Sequence, residues 1–511
     1  MILSRPLRIS PAALKKAFAI GGGFFALLVL ARYAMGSPLH GAEIALVALA
    51  PVGAYFGLTR PLLFPYGLYL LVVPFDPLFT FTGGPGTTLT RYLGIAVVAA
   101  LVLRMILLRR AYAPPWSWYA WCAVLVVMIA STIWSIDATQ TLGLSTMMLQ
   151  LFALYTLLGI YPSSRADLLL VARLTAACGT IAAAYGLFAY ASGTQRLEDT
   201  RLSIGSGSMH LDPNHYAAYF FIPAAVLVAW LLYESRISRR VGISLCLAAV
   251  VLNVLLTGSR GGLISVAIVL LYSGIRARKY LTAGLVSISA FALSLAVPNV
   301  WQRFTDASQS EGSGRGELWA VGLAALKHYW LLGSGFGTFE MAYDQYFLNA
   351  YQRSFQGWTR PAHDLLVQSS VELGIAGAAL VVFAWFASFR QNANIRFGDA
   401  LFPMRIASEA AILALFVEAL TLDMLWYKYL WVALSFSLIV ANAYRPRAFG
   451  QARLRPRVAP VSYARAGYAR AGYARAGYAR AGVAESRVTR TESINCSTLE
   501  RLESTLEAPD I

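Results

Sequence analysis

Apolar runs close to the length that crosses a bilayer recur through most of this chain, and they constrain its fold more than any other feature. They fall at roughly 17–35, 42–58, 61–79, 92–108, 116–134, 142–161, 168–190, 216–233, 241–257, 261–275, 280–298, 365–389, 406–423 and 427–444. A helix needs about 20 such residues to span the hydrocarbon layer. Inside lipid every backbone polar group must be satisfied by the chain itself, and the period-2 alternation of a barrel is absent, so helices are the solution. Charged residues make up 13% of the sequence, about half of the ~25% usual in soluble domains. The expected fold class is all-α, a polytopic transmembrane helical bundle of about 12–14 spans with one long loop, 299–364, that contains short helices.

Charge sets the expected orientation. The chain carries 42 basic and 25 acidic residues, for a net charge of +17. On a soluble protein this balance would suggest nucleic acid as a partner. Here the basic residues concentrate in alternate short loops: Arg109-Arg110, Arg165, Arg236 with Arg239-Arg240, Arg276 to Lys279, Arg390 with Arg396 and Arg405, and Arg445 with Arg447. The opposite loops are poorer in Lys and Arg. The positive-inside tendency then places both termini in the cytoplasm and the 299–364 loop on the outer face of the membrane. Residues 1–16 read as a basic cytoplasmic N-terminus, and 17–35 as a first span that is retained. Residues 17–444 form the membrane domain. A cytoplasmic low-complexity tail covers 445–511, with four copies of Tyr-Ala-Arg-Ala-Gly at 463–482. So short a repeat cannot build a core.

The four cysteines, Cys122, Cys178, Cys246 and Cys496, are isolated and suggest neither a disulfide framework nor a metal site. Among charges within spans, Arg32, Arg104 and Arg173 lie near helix ends and can snorkel. Glu418 is deeper, and a hydrogen-bonded or protonated carboxyl facing the bundle is favoured over a proton or substrate role.

Three places on the expected outer face hold residues suited to chemistry. In Thr257-Gly258-Ser259-Arg260-Gly261-Gly262, glycines permit a sharp turn and close approach, and the following helix start favours an anion. Arg260 adds a planar fork suited to phosphate; the alternative is a turn arginine touching headgroups. Arg315 precedes a short helix expected over Glu317–Tyr329, resting on the membrane surface. A cation there opposes the helix dipole, and a jointly bound anion would reconcile the two; the alternative is an exposed loop arginine. His363 can take a proton near neutral pH, and Asp364 can cap the helix after it. Gly374 and Gly377 are expected on one helix face for close packing. A fourth cluster runs from Arg201 to His215. His210, Asp212 and His215 imitate a metal site, but their spacing fits no zinc pattern. Substrate contact or capping is favoured, with Asn214 capping the span from Tyr216.

In order, these pieces resemble the O-antigen ligase and polymerase superfamily of envelope glycosyltransferases. The pieces are Asp212-Pro213-Asn214, Ser259-Arg260-Gly261-Gly262, Gly314-Arg315 with Leu318-Trp319, the run Leu331 to Gly337 (LLGSGFG), His363, and Glu372 to Gly377 (ELGIAG). They cover about 200–390. The resemblance implies an inner-membrane enzyme that uses a glycan on undecaprenyl diphosphate and works on the periplasmic face without metal, cofactor or nucleotide sugar. Carried over, Arg260 and Arg315 hold the diphosphate and His363 is the base toward an acceptor hydroxyl, with inversion at the anomeric carbon. Arg201, Asn214, Ser259, Gly261, Trp319 and Asp364 are the expected substrate-binding set. The partners implied are the lipid-linked donor, a glycolipid or glycan acceptor and the bilayer, with no nucleic acid. An O-antigen ligase, a polymerase of O-antigen or exopolysaccharide repeat units, and a protein O-oligosaccharyltransferase differ in acceptor, and ligase type is favoured. From another class, a flippase should show interrupted helices at the midplane and internal repeats, which the sequence lacks. A scaffold would leave the two arginines and the histidine unexplained.

Overall fold

The computed structural model describes residues 53–454 except 54, 80–87, 198–200, 207–208, 297–314 and 351–357. The expected span 17–35, most of 42–58, and the repeat tail lie outside the described residues. The described residues are predominantly helical. Eight helical segments among the described residues are long and apolar enough to cross a membrane. They are α2 (Leu89–Leu108), α3 with its 3-10 extension (Trp116–Ile133), α4 (Ala138–Ile160), α5 (Arg165–Ala191), α6 with α7 (Pro213–Tyr233), α8 (Ile237–Leu256), α9 (Arg260–Ala277) and α13 (Leu365–Arg390). The bundle is completed by α1 (Tyr66–Val72), α10 (Tyr280–Ala296), α14 (Phe402–Ala419) and α15 (Lys428–Leu454).

The expected span at 61–79 is not one helix. It divides into the seven-residue α1 and a 3-10 helix, Val73–Leu78. Pro65, Pro74 and Pro77 each remove a backbone donor, and an α-helix cannot run through them.

Helix α7 is enclosed on nearly all sides, whereas α2 keeps most of its surface outward. That contrast follows composition: Phe221–Tyr233 is apolar all round, the pattern of a central helix. It packs on α14, which in turn packs on α9 and α15. Helix α14 holds charges at both ends. At one, Arg405 Nε donates to Glu409 Oε1 at 2.7 Å, Tyr272 OH donates to Glu409 Oε2 at 2.7 Å, and Arg276 Nε lies 3.5 Å from that oxygen. The basic clusters that flank α5, α8, α9 and α13 lie at this end. At the other end Glu418 is fully buried. The candidate site is built there.

Beyond α10 come α11 (Arg315–Tyr329) and α12 (Phe339–Tyr346). Residues Leu318, Val321 and Ala325 of α11 form a small second core with Phe339, Ala342, Tyr343, Ala362 and Val371. A Cβ on Gly322 would lie 2.6 Å from Val367, so α11 runs against the first turns of α13. The buried apolar side of α11 is thus used against α13.

Helix α13 is broken at Gly374, which takes φ +73° and ψ 173°. In an unbroken helix Ile375 N–H would donate to Val371 O. Here it donates to Trp330 O at 2.9 Å, and Val371 O accepts from Ser334 N–H at 2.8 Å. Gly335 N–H donates to Glu372 O at 2.9 Å. A Cβ on Gly374 would lie 2.2 Å from Leu331 O, and one on Gly333 2.2 Å from Glu372 O. Two backbones thus interlock where glycine alone fits, with both glycines in the left-handed region. The sequence places Gly374 and Gly377 on one packing face; instead Gly374 ends the helical path, and Gly377 sits against Leu373 of its own helix.

Candidate functional site

Each end of the site is fixed by a capped helix. Ser259 caps α9, with Oγ accepting from Gly262 N–H at 3.0 Å, and Arg260 is the first helical residue. The Ser259 hydroxyl lies 3.5 Å from Glu418 Oε1, and Ser265 Oγ donates to Glu418 Oε2 at 3.1 Å. A Cβ on Gly261 would come within 2.8 Å of both Glu418 oxygens and 2.9 Å of Thr421 Oγ1. The space beside Gly261 is therefore taken by the end of α14, so a side chain at that position would clash. Glu418 makes the hydrogen bonds between helices that the sequence favoured.

Arg315 opens α11. Burial pulls its guanidinium below the usual arginine value, while Glu418, Asp212 and Asp364 pull it back up. Arginine stays charged through such shifts. The dipole conflict noted in the sequence is thus eased by three carboxylates of the protein itself. Asp364 caps α13, its Oδ1 accepting from Leu366 N–H at 2.8 Å and Val367 N–H at 2.9 Å. Trp319 packs beside the second core, and its buried Nε1 has no hydrogen-bond partner among the described residues.

His363 takes a left-handed backbone, φ +47°, uncommon for a residue with a Cβ although histidine tolerates it better than most. Its Nδ1 lies 3.4 Å from Asp423 Oδ1, within ion-pair range but without hydrogen-bond alignment. Burial raises the Asp423 carboxyl, but His363, His215 and a backbone N–H together more than offset this, and the net is below the ordinary aspartate value. Asp423 lies in the turn between α14 and α15 and was missed in the sequence, where 406–423 read as one span. The signal was present: an acid that ends an apolar run at the same end as His363. Exposed Glu340 of α12 is also within electrostatic range of His363 and Asp423.

The Arg201–His215 segment forms the rim. Two short antiparallel hairpins pair Arg196–Leu197 with Arg201–Leu202 and Gly205–Ser206 with Met209–His210. Arg201 Nε donates to Thr257 O at 2.9 Å, and its Nη2 lies 3.4 Å from Asn214 Oδ1. Arg201 and Asn214 thereby brace the rim to the turn that precedes Ser259. The helix cap here is Asp212, which accepts from Asn214 N–H at 2.7 Å, with Pro213 as the first residue of α6 (Pro213–Ala218). Asn214 is not the cap, because proline at the first helical position moves the helix start upstream of it. His215 is buried, stacks on Tyr427 at 3.7 Å between ring centroids, and pairs through Nδ1 with Tyr429 OH at 2.9 Å. Beyond it Lys428 pairs with Asp76 and donates to Thr88 Oγ1 at 3.2 Å.

The structure therefore gathers Arg260, Arg315 and His363, from three separate stretches, at one end of the bundle. The motifs that surround them also match a known family. Residues 245–382 match the O-antigen ligase family. The matched segment spans the Ser-Arg-Gly-Gly turn, Arg315, the interlocked glycines and His363. It stops before Glu418 and Asp423. At this coarse level the segment is similar to a family of membrane enzymes of the O-antigen ligase and polymerase type. No curated protein compared with the chain matches it.

Proposed function

We propose that the protein transfers a glycan from undecaprenyl diphosphate to an acceptor hydroxyl, in the manner of an O-antigen ligase, on the periplasmic face of the inner membrane. The observation that carries this reading is His363 held beside the buried Asp423 at the end of the bundle where Arg315 and Arg260 open their helices.

The chemistry follows from that arrangement. Asp423 faces Nδ1 and leaves Nε2 of His363 for the acceptor. Nε2 takes the hydroxyl proton as the acceptor oxygen attacks the anomeric carbon. The bond from that carbon to the phosphate oxygen breaks, its electron pair leaves with the diphosphate, and the configuration inverts. Asp423 stabilises the imidazolium that forms. Arg260 and Arg315 meet the charge growing on the leaving group, an interaction stronger in the transition state than in the bound donor. Arg201 and Asn214 hold the rim, and Ser259 positions Arg260 through the helix cap. The opposite end of the bundle, rich in arginine, faces the cytoplasm by the positive-inside tendency.

The test is transfer by purified enzyme with a lipid-linked donor. His363→Ala is expected to lower transfer by at least about 10²-fold while the protein still reaches the membrane. Near-normal transfer by that variant would overturn the base assignment.

A further inference from the structure

The turn that follows α11 carries Trp330-Leu331-Leu332, all three exposed, at 54%, 58% and 54%. Ile375 is 54% exposed and Ile133 is 86% exposed. The backbone joins these residues into one surface. Ile375 N–H donates to Trp330 O at 2.9 Å, and Trp134 Nε1 donates to Leu332 O at 2.9 Å.

Their height in the bundle can be read from helix length. Trp121 of α3 donates to Ser388 of α13 at 2.8 Å, which fixes a common level for the two helices. From there, twelve residues of α3 up to Ile133 rise about 18 Å, and thirteen residues of α13 back to Ile375 rise about 20 Å. Ile133 closes a segment long and apolar enough to cross a membrane. The Trp330–Leu332 knuckle therefore stands at the level where α3 leaves the hydrocarbon, and continues the lipid-facing band of α3 and α13. Tryptophan is enriched at that level in membrane proteins.

We infer that Trp330-Leu331-Leu332, with Ile133 and Ile375, is a wedge inserted among the acyl chains of the leaflet on the site side, anchoring the descending end of α11. The occupant is lipid because the patch is continuous with spanning surface at its base. One helical turn before the wedge, Lys327 is exposed, at a height suited to water. This inference does not depend on the glycan-transfer reading.

The test uses the full chain in liposomes of phosphatidylethanolamine and phosphatidylglycerol. Cys122, Cys178, Cys246 and Cys496 are replaced by Ala, and Leu331→Cys or Lys327→Cys carries an environment-sensitive fluorophore. The label at 331 is expected to be quenched at least threefold more by shallow spin-labelled phospholipid than by aqueous iodide, and the label at 327 in the reverse order. Equal iodide quenching at both positions would overturn the inference. So would a label at 331 shielded from both quenchers, as contact with a second copy would produce. If the cysteine-free chain misfolds, Trp330→Phe in the native background replaces it. It should remove a component of tryptophan fluorescence that brominated lipid quenches, and an unchanged quenchable component would count against the wedge.

Discussion

At Asp423 two opposing effects meet. Burial disfavours its charge, and His363 with His215 and a backbone N–H more than restores it, so the folded carboxyl titrates below the ~3.9 of an unfolded chain. A group with a depressed folded value adds stability that is complete above the unfolded value and is lost as pH falls through the folded one. The melting temperature of wild type in detergent should therefore exceed that of Asp423→Asn by a constant margin above about pH 5, with the margin shrinking toward pH 3. A margin independent of pH would mean that the charge of Asp423 is not what His363 stabilises. Arg260 and Arg315 give a different expectation. Lysine keeps the charge and loses the planar fork. Arg260→Lys and Arg315→Lys should each lower transfer by about tenfold or more, from the loss of a charge-assisted hydrogen bond of roughly 1.5–3 kcal/mol. Full activity in both, assayed with lipid-linked donor, would remove the diphosphate role. Much of this residue-scale account was legible in sequence, because Arg260, Arg315 and His363 each stand in a polar break between apolar runs. Asp423 and the occupied space beside Gly261 were not. Both depend on where α14 ends against α9, and that is a contact between residues about 160 apart in sequence.

Between elements, the motif glycines turned out to be a joint. In the sequence Gly374 reads as a small residue on a helix face; in the structure its neighbour Ile375 donates its N–H to a carbonyl outside the helix. Periodicity cannot show this, since the apolar pattern continues across the break. Gly374→Ala would place a methyl 2.2 Å from a carbonyl oxygen in a backbone region that alanine avoids. It should destabilise the protein by about 2–4 kcal/mol, seen as a lower detergent melting temperature and poorer yield. At the far end of α14, Glu409 neutralises Arg405 and accepts from Tyr272. Glu409→Gln leaves that buried arginine short of its counter-charge and should cost about 3 kcal/mol. The protein that remains folded should transfer at the wild-type rate. A selective loss of rate at unchanged stability would mean that the two ends of α14 are coupled.

For the whole molecule, helical class and membrane character followed directly from the spacing of apolar runs, because lipid leaves the backbone few options. The division of 61–79 by prolines was visible residue by residue but masked by overall hydropathy. The acceptor belongs to this scale too. Deleting the gene and examining the surface glycan separates the candidates: complete chains stranded on the lipid carrier indicate a ligase, single repeat units a polymerase. An unchanged envelope glycan profile would remove both.

The interlocked joint also bears on whether this segment could be exchanged. The loop after Trp330 is pinned by Phe336 N–H to Ser131 Oγ at 3.0 Å, by Thr141 Oγ1 to Phe336 O at 2.9 Å, and by Ile136 N–H to Ser334 O at 2.9 Å. Those anchors lie more than a hundred residues before the family-matched segment begins, and Asp423 lies after it ends. The segment 245–382 is consequently not a cartridge. A chimera that takes it alone from a relative would inherit the arginines and the histidine without the frame that aims them, whereas one that also carries the α3–α4 turn and the turn after α14 keeps the aim intact.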